Sequence, residues 1–330
     1  MSEENRRTGV LIVGFGGPDT IESVRPFMCE LMGREPSDEV VDEVCMRYLA
    51  IGGKSPLPEI AAAIADALSK RLEEETGDVI PVLVGMRYTA PTIEDAVKAF
   101  VAAGVDRVVM CSLSPFESKV THGAYREALA EALRDHADVE VVEAPQIGTL
   151  DAFAELVAAS ALSSLEQLDT TERSLVVFSA HSLPVSDLTP DDPYVNGLKH
   201  VLDRVAEFIK WQPGRAGTGE PLLSGIATYG ALETQPQPWV LAYQSKGKRP
   251  GEWLGPDLGE VVDAAHAADM MSIIVVPIGF VTDHLETLYD LDIEVADHVL
   301  GFGMEFVRGP VANDHEHLVN GLAEAIVPLL

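Results

Sequence analysis

Short apolar segments with the composition of strands alternate along the chain with amphipathic segments, and this alternation limits the possible folds. Runs of βα units form parallel sheets covered by helices. The strand candidates lie at residues 9–15, 79–86, 107–113, 139–144, 174–180, 222–229, 270–278 and 304–308. The helix candidates between them include residues 57–75, 93–103, 152–168 and 293–300. Thr92, with Asp95 three residues later, has the pattern of a capping box. The sequence therefore predicts an α/β fold with parallel sheets.

The two halves of the chain look like rough copies of each other. LIVGFGGP in the first half and LVVFSAHSLP in the second each combine an apolar strand, a small-residue turn and a proline. We predict two similar domains, residues 1–150 and 151–330, each with a four-stranded parallel sheet flanked by helices. Ligands of open α/β sheets bind beyond the carboxyl ends of the strands, so two facing sheets would bring both sets of loops to one ligand. The last helix, predicted at residues 314–328, could pack on either domain.

One connection, residues 231–256, is rich in Pro, Gly, Trp and Gln and has no clear periodicity. Connections of this length are usually functional or disordered. Trp239, Tyr243 and Trp253 favour an ordered loop, because bulky aromatic residues seldom occur in solvated linkers.

The charge balance is strongly acidic, with 53 Asp and Glu against 23 Lys and Arg and a net charge of −30. Such a surface repels phosphate backbones, so we expect no nucleic-acid partner, whereas metal cations would be attracted. Three cysteines without a CxxC pair argue against a disulfide framework and an all-cysteine metal site, and indicate a reducing compartment. The N-terminus is too polar for a signal peptide, and the longest apolar run, residues 270–281, is too short to span a bilayer. We therefore expect a cytoplasmic protein without an integral membrane segment.

Two glycine-rich segments resemble nucleotide-binding motifs only in part. Gly14 and Gly16 begin a dinucleotide fingerprint, but Asp19 occupies the position of its third glycine, so a tight turn is the favoured interpretation. Gly53-Lys54-Ser55 resembles the end of a P-loop, yet Tyr48 occupies the position of its first glycine. The sequence also contains no GxSxG and no HExxH motif.

The most informative candidates lie in the second half. His181 follows a predicted buried strand, at the end of the sheet where sites form, and its imidazole could accept a proton or bind a metal. Glu286, Asp290 and Glu294 follow the next predicted strand with i, i+4, i+8 spacing, which places three acids on one face of an α-helix. Carboxylate and imidazole together suit iron and related ions, so the pattern predicts a path for a divalent metal. A loop histidine bonded to backbone and a solvated acidic face are the simpler alternatives.

The first half carries a different set of polar residues at its predicted strand ends. They are Arg47, Ser55, Arg87, Tyr88, Lys119, Thr121 and Tyr125. In a net acidic protein, such a cluster is typical of a surface that anchors carboxylates. For each residue taken alone, solvation or helix capping remains an alternative.

These segments together resemble the ferrochelatase family, whose members insert ferrous iron into a porphyrin. The matching segments are LIVGFGGPDT, RYLAIGGKSPL, FSAHSLP, Tyr243-Gln244-Ser245 with Trp253-Leu254 and Pro256-Asp257, and PIGFVTDHLETLYDLD. They occur in family order over nearly the whole chain. The resemblance implies two Rossmann-like domains of chelatase type and a lyase-class metal chelatase of heme biosynthesis. The first domain would anchor the porphyrin and the second would supply the metal-side residues.

The resemblance also implies roles for particular residues. His181 and Glu286 would be catalytic, and Asp290 and Glu294 would continue a metal path from them. The implied porphyrin contacts are Phe15, Arg47, Ser55, Tyr88, Thr121 and Tyr125. Tyr88 occupies a position where other bacterial members carry histidine. Ferrous iron would be a substrate, with no prosthetic group and no [2Fe–2S] cluster, since no cysteine follows Cys111. A monomer is expected.

In carrying both Phe15 and Ser182, the chain resembles the bacterial members that use coproporphyrin III rather than protoporphyrin IX. The four propionates of coproporphyrin III would need several basic anchors, and the candidates are Arg25, Arg47, Arg87, Lys119 and Arg126. Two alternatives remain open. One is a chelatase that inserts cobalt or nickel into a sirohydrochlorin-type ring, and the other is a protein that binds a tetrapyrrole without catalysis.

Overall fold

The computed structural model describes residues 6–209 and 238–330, and the chain forms two compact units. Unit 1 comprises Met1–Ala152, Val281–Leu285 and Asn313–Leu330, and unit 2 comprises Phe153–Phe280 and Glu286–Ala312. The sequence predicts that the chain passes from the first domain to the second only once, at residue 150. In the structure the chain returns to unit 1 twice more, once for the segment before Glu286 and once for the C-terminal segment.

The strands of both units are parallel. They are β1 (Thr8–Gly14), β2 (Val82–Met86), β3 (Arg107–Ser112), β4 (Glu140–Glu143), β5 (Ser174–His181), β6 (Trp239–Gln244), β7 (Ser272–Pro277) and β8 (Glu305–Arg308). The strand order is β2-β1-β3-β4 in unit 1 and β6-β5-β7-β8 in unit 2. The two sheets therefore have the same topology, which confirms the predicted α/β fold with two similar four-stranded sheets.

Helices flank both sheets. They are α1 (Val24–Met32), α2 (Asp38–Ala50), α3 (Leu57–Thr76), α4 (Ile93–Ala102), α5 (Ala124–Ala132), α6 (Asp151–Leu165), α7 (Pro193–Phe208), α8 (Leu258–Ala267), α9 (Leu285–Leu288), α10 (Ala296–Gly301) and α11 (Glu316–Ile326). Two π-helices, Lys119–Gly123 and Asp290–Val295, precede α5 and α10. Each π-helix thus follows the third strand of its unit. No helix in the part of the chain that the structure describes is long and apolar enough to cross a membrane.

The strands β1, β5 and β7 are largely apolar because they lie inside their sheets and helices cover both faces. Every residue of β1 and β7 is buried, and so are the first seven residues of β5. In unit 1 the ring of Phe100 on α4 lies directly over Gly9, where an added Cβ would approach the ring to 2.5 Å. Burial of this kind stabilises each unit by about 25 cal/mol per Å² of apolar surface removed from water.

The prediction of a loop at residues 231–256 is wrong in part, because β6 lies within it. The predicted strand at residues 222–229 lies outside the described residues. Within residues 6–209 and 238–330, β6 pairs with β5 alone and is the outermost strand of its sheet, with Val176 of β5 bonded to the carbonyl of Pro238 just before β6. Proline is tolerated beside an edge strand, whereas in the sequence it weakens the signal for a strand.

The C-terminal helix α11 belongs to unit 1 and packs against α3. The capping box at Thr92 is confirmed: its side chain accepts a hydrogen bond from the Asp95 amide at 3.1 Å, and Asp95 accepts one from the Thr92 amide at 3.0 Å. The three cysteines are free thiols, which agrees with the argument against a disulfide framework.

Candidate active site

The candidate site of unit 2 lies where the strands of its sheet end. His181 is the last residue of β5 and Gln244 the last residue of β6, and Glu286 is the second residue of α9, beyond the end of β7. Carboxyl ends of adjacent parallel strands share one edge of a sheet, where ligands of α/β proteins bind. The structure therefore brings the predicted histidine and the predicted acid to the same edge.

His181 and Glu286 face each other directly. The Nε2 atom of His181 lies 3.5 Å from Oε1 of Glu286, and each side chain is about one-third exposed, at 34% and 31%. The Nδ1 atom of His181 lies 2.6 Å from the carbonyl oxygen of Ser182. A carbonyl only accepts hydrogen bonds, so Nδ1 carries a proton and Nε2 is the nitrogen that faces the acid. The hydroxyl of Tyr194 donates to the carbonyl of His181 at 2.8 Å and holds the end of β5.

The surroundings of His181 change its pKa. Burial lowers it, but the charge of Glu286, the hydrogen bond to that carboxylate, the carbonyl of Ser182 and the charge of Asp290 together raise the pKa to about 9. The ring is therefore an imidazolium at neutral pH while Glu286 is ionised. Because only a neutral imidazole can bind a metal or accept a proton, Glu286 controls the availability of His181 for chemistry.

Two residues from β6, which the sequence did not single out for the site, hold the acidic segment. Gln244 is 2% exposed, and its Nε2 donates to the carbonyl of Glu286 at 2.9 Å. Ser245 has a φ of +58°, a left-handed conformation, and its hydroxyl donates to Oδ2 of Asp290 at 2.5 Å. A strand assignment at residues 239–244 would have revealed them, because it places both at the site-forming end of the sheet.

The predicted acid segment is not one continuous α-helix. α9 ends at Leu288 and a π-helix begins at Asp290, where the amide of Glu294 donates to the carbonyl of Tyr289 at 3.0 Å. This i to i+5 bond widens the turn to a little over four residues, so acids four residues apart still lie near one face. Asp290 is half-buried and Glu294 is exposed. In residues 6–209 and 238–330, no three or more His, Cys, Asp or Glu side chains are grouped so that they could hold a metal ion.

In unit 1, Phe15 and Tyr88 form an aromatic group at the strand ends. Phe15 follows β1, and its ring centroid lies 4.7 Å from that of Tyr88 and 6.2 Å from that of Phe27. Both Phe15 and Tyr88 are half-buried against the core formed by α1 and α2. The guanidinium of Arg87 lies over the Tyr88 ring, 4.9 Å from its centroid.

The glycines after β1 form a turn, as the sequence predicted. Gly16 has a φ of +94°, which favours glycine. Gly17 is in close contact with Ser55, because a Cβ added to Gly17 would lie 2.5 Å from the Cβ and the Oγ of that serine. The amide of Ser55 donates to the carbonyl of Pro18 at 2.7 Å, and the side chain of Ser55 is buried. Ser55 therefore fixes the turn that carries Phe15.

The other predicted contacts of unit 1 lie in three settings. Arg47, in the last turn of α2, is half-buried, with Nη2 3.7 Å from Glu43. Thr121 is in the first π-helix, and its amide donates a hydrogen bond to the Ser118 hydroxyl, which caps the helix, at 3.2 Å. Tyr125 is 1% exposed within the core of unit 1, and burial raises its pKa to about 12. Its ring therefore contributes to the core, and only its hydroxyl meets a polar group, Ser114, at 3.3 Å.

Three of the five predicted basic anchors contact acids of unit 1: Arg47 contacts an acid of α2, and Arg25 and Arg126 contact two acids each. Arg126 contacts Glu117 at 2.7 Å and Glu143 at 2.6 Å, and Arg25 contacts Glu35 at 2.9 Å and Asp38 at 2.5 Å. A guanidinium with two carboxylate partners has little charge left for a propionate. Lys119 and Arg87 are exposed. Ser182 is one of the two residues on which the resemblance to coproporphyrin III enzymes depends. It is 2% exposed and donates to the carbonyl of Leu254 at 2.8 Å, so it has a structural role.

Comparison with known proteins gives relatives along the whole chain. A ferrochelatase from Deinococcus radiodurans is 30% identical over 322 residues, which cover 96% of this chain and 94% of the relative. A ferrochelatase from Geotalea uraniireducens is 31% identical over 339 residues, with 97% of each chain covered. A coproporphyrin III ferrochelatase from Halalkalibacterium halodurans is 29% identical over 330 residues, covering 97% of this chain and 96% of the relative.

Among solved structures, SirB from Bacillus subtilis with Fe³⁺ is similar in fold. Its TM-score is 0.57 at 11% sequence identity, with 97% of this chain and 94% of that chain covered. This likeness concerns the fold alone. The family model described as Ferrochelatase matches residues 7–328, and this chain therefore belongs to the ferrochelatase family.

Proposed function

We propose that this chain inserts Fe²⁺ into coproporphyrin III, with His181 and Glu286 as the reacting groups. Members of the family are metal chelatases of the lyase class that act in heme biosynthesis, and the chain belongs to that class. The observation that carries the proposal is the 3.5 Å contact between the imidazole and the carboxylate at the strand ends of unit 2. The contact places a proton acceptor, the imidazole, beside a carboxylate that can bind a divalent cation.

The reaction removes two pyrrole N–H protons for each divalent ion inserted. We assign the acceptance of these protons, one at a time, to Nε2 of His181, because the other ring nitrogen is held by the carbonyl of Ser182. The ring is about one-third exposed, so the first proton passes to water before the second is accepted. Catalysis by such a base typically contributes about 10²–10⁴-fold to the rate. A pKa of about 9 leaves only about one ring in a hundred neutral at pH 7, so the base must first be released.

Glu286 supplies that release in the proposed mechanism. A divalent cation beside Glu286 would offset the carboxylate charge that holds the proton on His181. The pKa of His181 would then fall, and Nε2 would become free to accept a pyrrole proton. Iron thus arrives before the pyrrole protons are removed, and its charge makes His181 available as the base. Asp290, whose charge also raises the pKa of His181, is proposed as the next acid on the metal path, followed by the exposed Glu294.

For the porphyrin, the proposed contacts of unit 1 are Phe15, Arg47, Ser55, Tyr88 and Thr121, whereas Tyr125 is 1% exposed and belongs to the core of unit 1. Distortion of a bound macrocycle exposes its nitrogen lone pairs and can use about 1–5 kcal/mol of binding energy from the ring periphery. The relatives named coproporphyrin III ferrochelatase support the choice of porphyrin. We further propose a cytoplasmic monomer without an iron–sulfur cluster.

The test is anaerobic Fe²⁺ insertion, measured by absorbance, with coproporphyrin III and protoporphyrin IX side by side. We expect insertion into both and a higher kcat/KM with coproporphyrin III. A higher value with protoporphyrin IX would overturn the choice of substrate. Binding of either porphyrin without insertion, or Co²⁺ insertion confined to sirohydrochlorin, would overturn the proposed reaction.

A further inference from the structure

Gln244 lies at the junction of the segments that carry His181 and Glu286. Its main-chain carbonyl accepts a hydrogen bond from the amide of Ser182, the residue after His181, at 2.8 Å. Its Oε1 accepts from the hydroxyl of Ser179 on β5 at 2.9 Å, and its Nε2 donates to the carbonyl of Glu286 at 2.9 Å. One residue of β6 is thus bonded to the strand of the base and to the helix of the acid.

The orientation of the Gln244 amide follows from its partners. A main-chain carbonyl only accepts hydrogen bonds, so the group that faces Glu286 is the NH₂. The amide oxygen then faces Ser179, whose hydroxyl can donate to it. With Gln244 2% exposed and Ser179 fully buried, water is excluded from both bonds. Because both the oxygen and the NH₂ of this buried amide are hydrogen-bonded, the Gln244 side chain has a single orientation and rigidly links β5 to the main chain of Glu286.

Glu286 lies in the first turn of a helical segment that is not regular. α9 has four residues, Leu285–Leu288, and after one further residue the segment continues as the π-helix and then as α10. The change to i to i+5 bonding just after α9 interrupts the regular α-helical bonds of this turn. Gln244 supplies a bond from outside the segment to the main chain of Glu286.

We infer that Gln244 is a positioning residue that holds the Glu286 carboxylate against His181. The inference rests on the proposed function, because it assigns a purpose to that contact. It acts through the Glu286 main chain, so the side chain of Gln244 touches neither reacting group. Loss of residues that orient a metal ligand from behind typically costs about 10–100-fold in affinity or activity.

The main test is Gln244→Met, which keeps an unbranched side chain of similar length and removes both amide bonds. We expect kcat/KM for iron insertion to fall by about 10-fold or more. Ser160→Ala is the matched control, because it removes a buried bond of unit 2, from Ser160 to the carbonyl of Pro310 at 2.8 Å, away from the strand ends. We expect this control to lower Tm but to leave kcat/KM within about 2-fold. Unchanged kcat/KM in Gln244→Met would overturn the inference.

A double-mutant cycle with Glu286→Ala separates positioning from stability. Alanine keeps the main-chain carbonyl, so Gln244 retains its bond and its contribution to stability. We expect Gln244→Met to lower Tm equally in both backgrounds, and to lower kcat/KM by less than about 2-fold where the carboxylate is already absent. An equal loss of kcat/KM in both backgrounds would mean that Gln244 does not act through Glu286.

A crystal structure of metal-free Gln244→Met tests the inference without activity. We expect the distance from His181 Nε2 to Glu286 Oε1 to exceed that in wild-type crystals, and an unchanged distance would overturn the inference. If Gln244→Met fails to fold, Gln244→Glu replaces it, because it keeps the acceptor for Ser179 and loses the donor to Glu286. If the wild type inserts no metal, the proposed function fails, and the crystal comparison still decides whether Gln244 positions Glu286.

Discussion

Nε2 of His181 lies 3.5 Å from Oε1 of Glu286, although one residue ends a strand and the other begins a helix much later in the chain. The contact has a chemical consequence, because the carboxylate keeps the imidazole protonated up to a pKa of about 9. In the mechanism that we propose, an incoming cation offsets the carboxylate charge and frees the imidazole to accept a proton. The pair would then link metal arrival to proton removal.

Replacement of the histidine tests the proposed base. We expect His181→Ala to lower kcat for iron insertion at least about 100-fold, the lower range for loss of a general base, with little change in porphyrin affinity. Stopped assays of insertion and fluorescence titration with porphyrin measure the two effects. His200→Ala, at an exposed position of α7, is the control and should retain full activity. Full activity in His181→Ala would exclude this residue as the base.

Removal of the acid should change the titration of the histidine. We expect Glu286→Gln to lower the pKa of His181 from about 9 toward its ordinary value of about 6.5, because the charge and the hydrogen bond of the carboxylate are lost. NMR titration of the imidazole protons in metal-free protein measures this value. Glu294→Gln should leave it unchanged, because Glu294 is exposed and does not contribute to it. An equal pKa in wild type and Glu286→Gln would contradict the role given to Glu286.

The same shift predicts how stability depends on pH. The folded pKa of His181 lies above its unfolded value, so the pair stabilises the fold fully below about pH 6.5 and loses this effect as pH rises through about 9. Glu286→Gln should therefore reduce the free energy of unfolding at pH 6 and have a smaller effect at pH 10. Urea unfolding of both proteins at the two pH values measures the difference. A larger loss at pH 10 would reverse the sign of the coupling.

The acids of the π-helix should differ in importance. Asp290 is half-buried, bonded to Ser245 and electrostatically coupled to His181, whereas Glu294 is exposed. We expect Asp290→Asn to raise the apparent KM for Fe²⁺ more than Glu294→Gln does, with smaller changes in kcat. Steady-state insertion at varied iron concentration measures both constants. Asp297→Asn on α10 is the exposed control, and an unchanged metal KM in Asp290→Asn would argue against the path.

The fold could be predicted from the sequence because the apolar pattern of each central strand lies within one short segment of the chain. β1, β5 and β7 are continuous apolar runs, and Thr92 with Asp95 marked the start of α4. β6 was missed because an edge strand beside proline lacks that signal. Gln244 was noted only as part of a segment that matches the family, and its place in the site was missed for the same reason, since it depends on a strand that the pattern did not reveal.

The π-helix in the acidic segment was missed for a different physical reason. A spacing of four residues places acids near one face in an α-helix and in a π-helix alike, and nothing local marks where a turn widens to i to i+5. The bond from Glu294 to the carbonyl of Tyr289 is visible only in the folded chain. Likewise, the acids that engage Arg25 and Arg126 could not be paired with them from sequence, because an ion pair depends on distances between separate segments.

The turn after β1 offers a test of the support beneath Phe15. A methyl group on Gly17 would lie 2.5 Å from the Cβ and Oγ of Ser55, closer than non-bonded atoms can approach. Ser55 is buried and bonded to the carbonyl of Pro18, so it cannot move aside without loss of that bond. We expect Gly17→Ala to reduce the free energy of unfolding by about 1–3 kcal/mol, as overpacking typically does, measured by urea unfolding.

Ser55→Gly removes the two atoms that the new methyl group would strike, so the double variant distinguishes a steric clash from a backbone requirement at Gly17. We expect Gly17→Ala with Ser55→Gly to recover most of the stability lost in the single Gly17→Ala variant, relative to Ser55→Gly alone. Additive losses would mean that the contact with Ser55 does not limit residue 17. Because the turn carries Phe15, porphyrin affinity in the double variant should also return to that of Ser55→Gly alone, which fluorescence titration measures in the same samples.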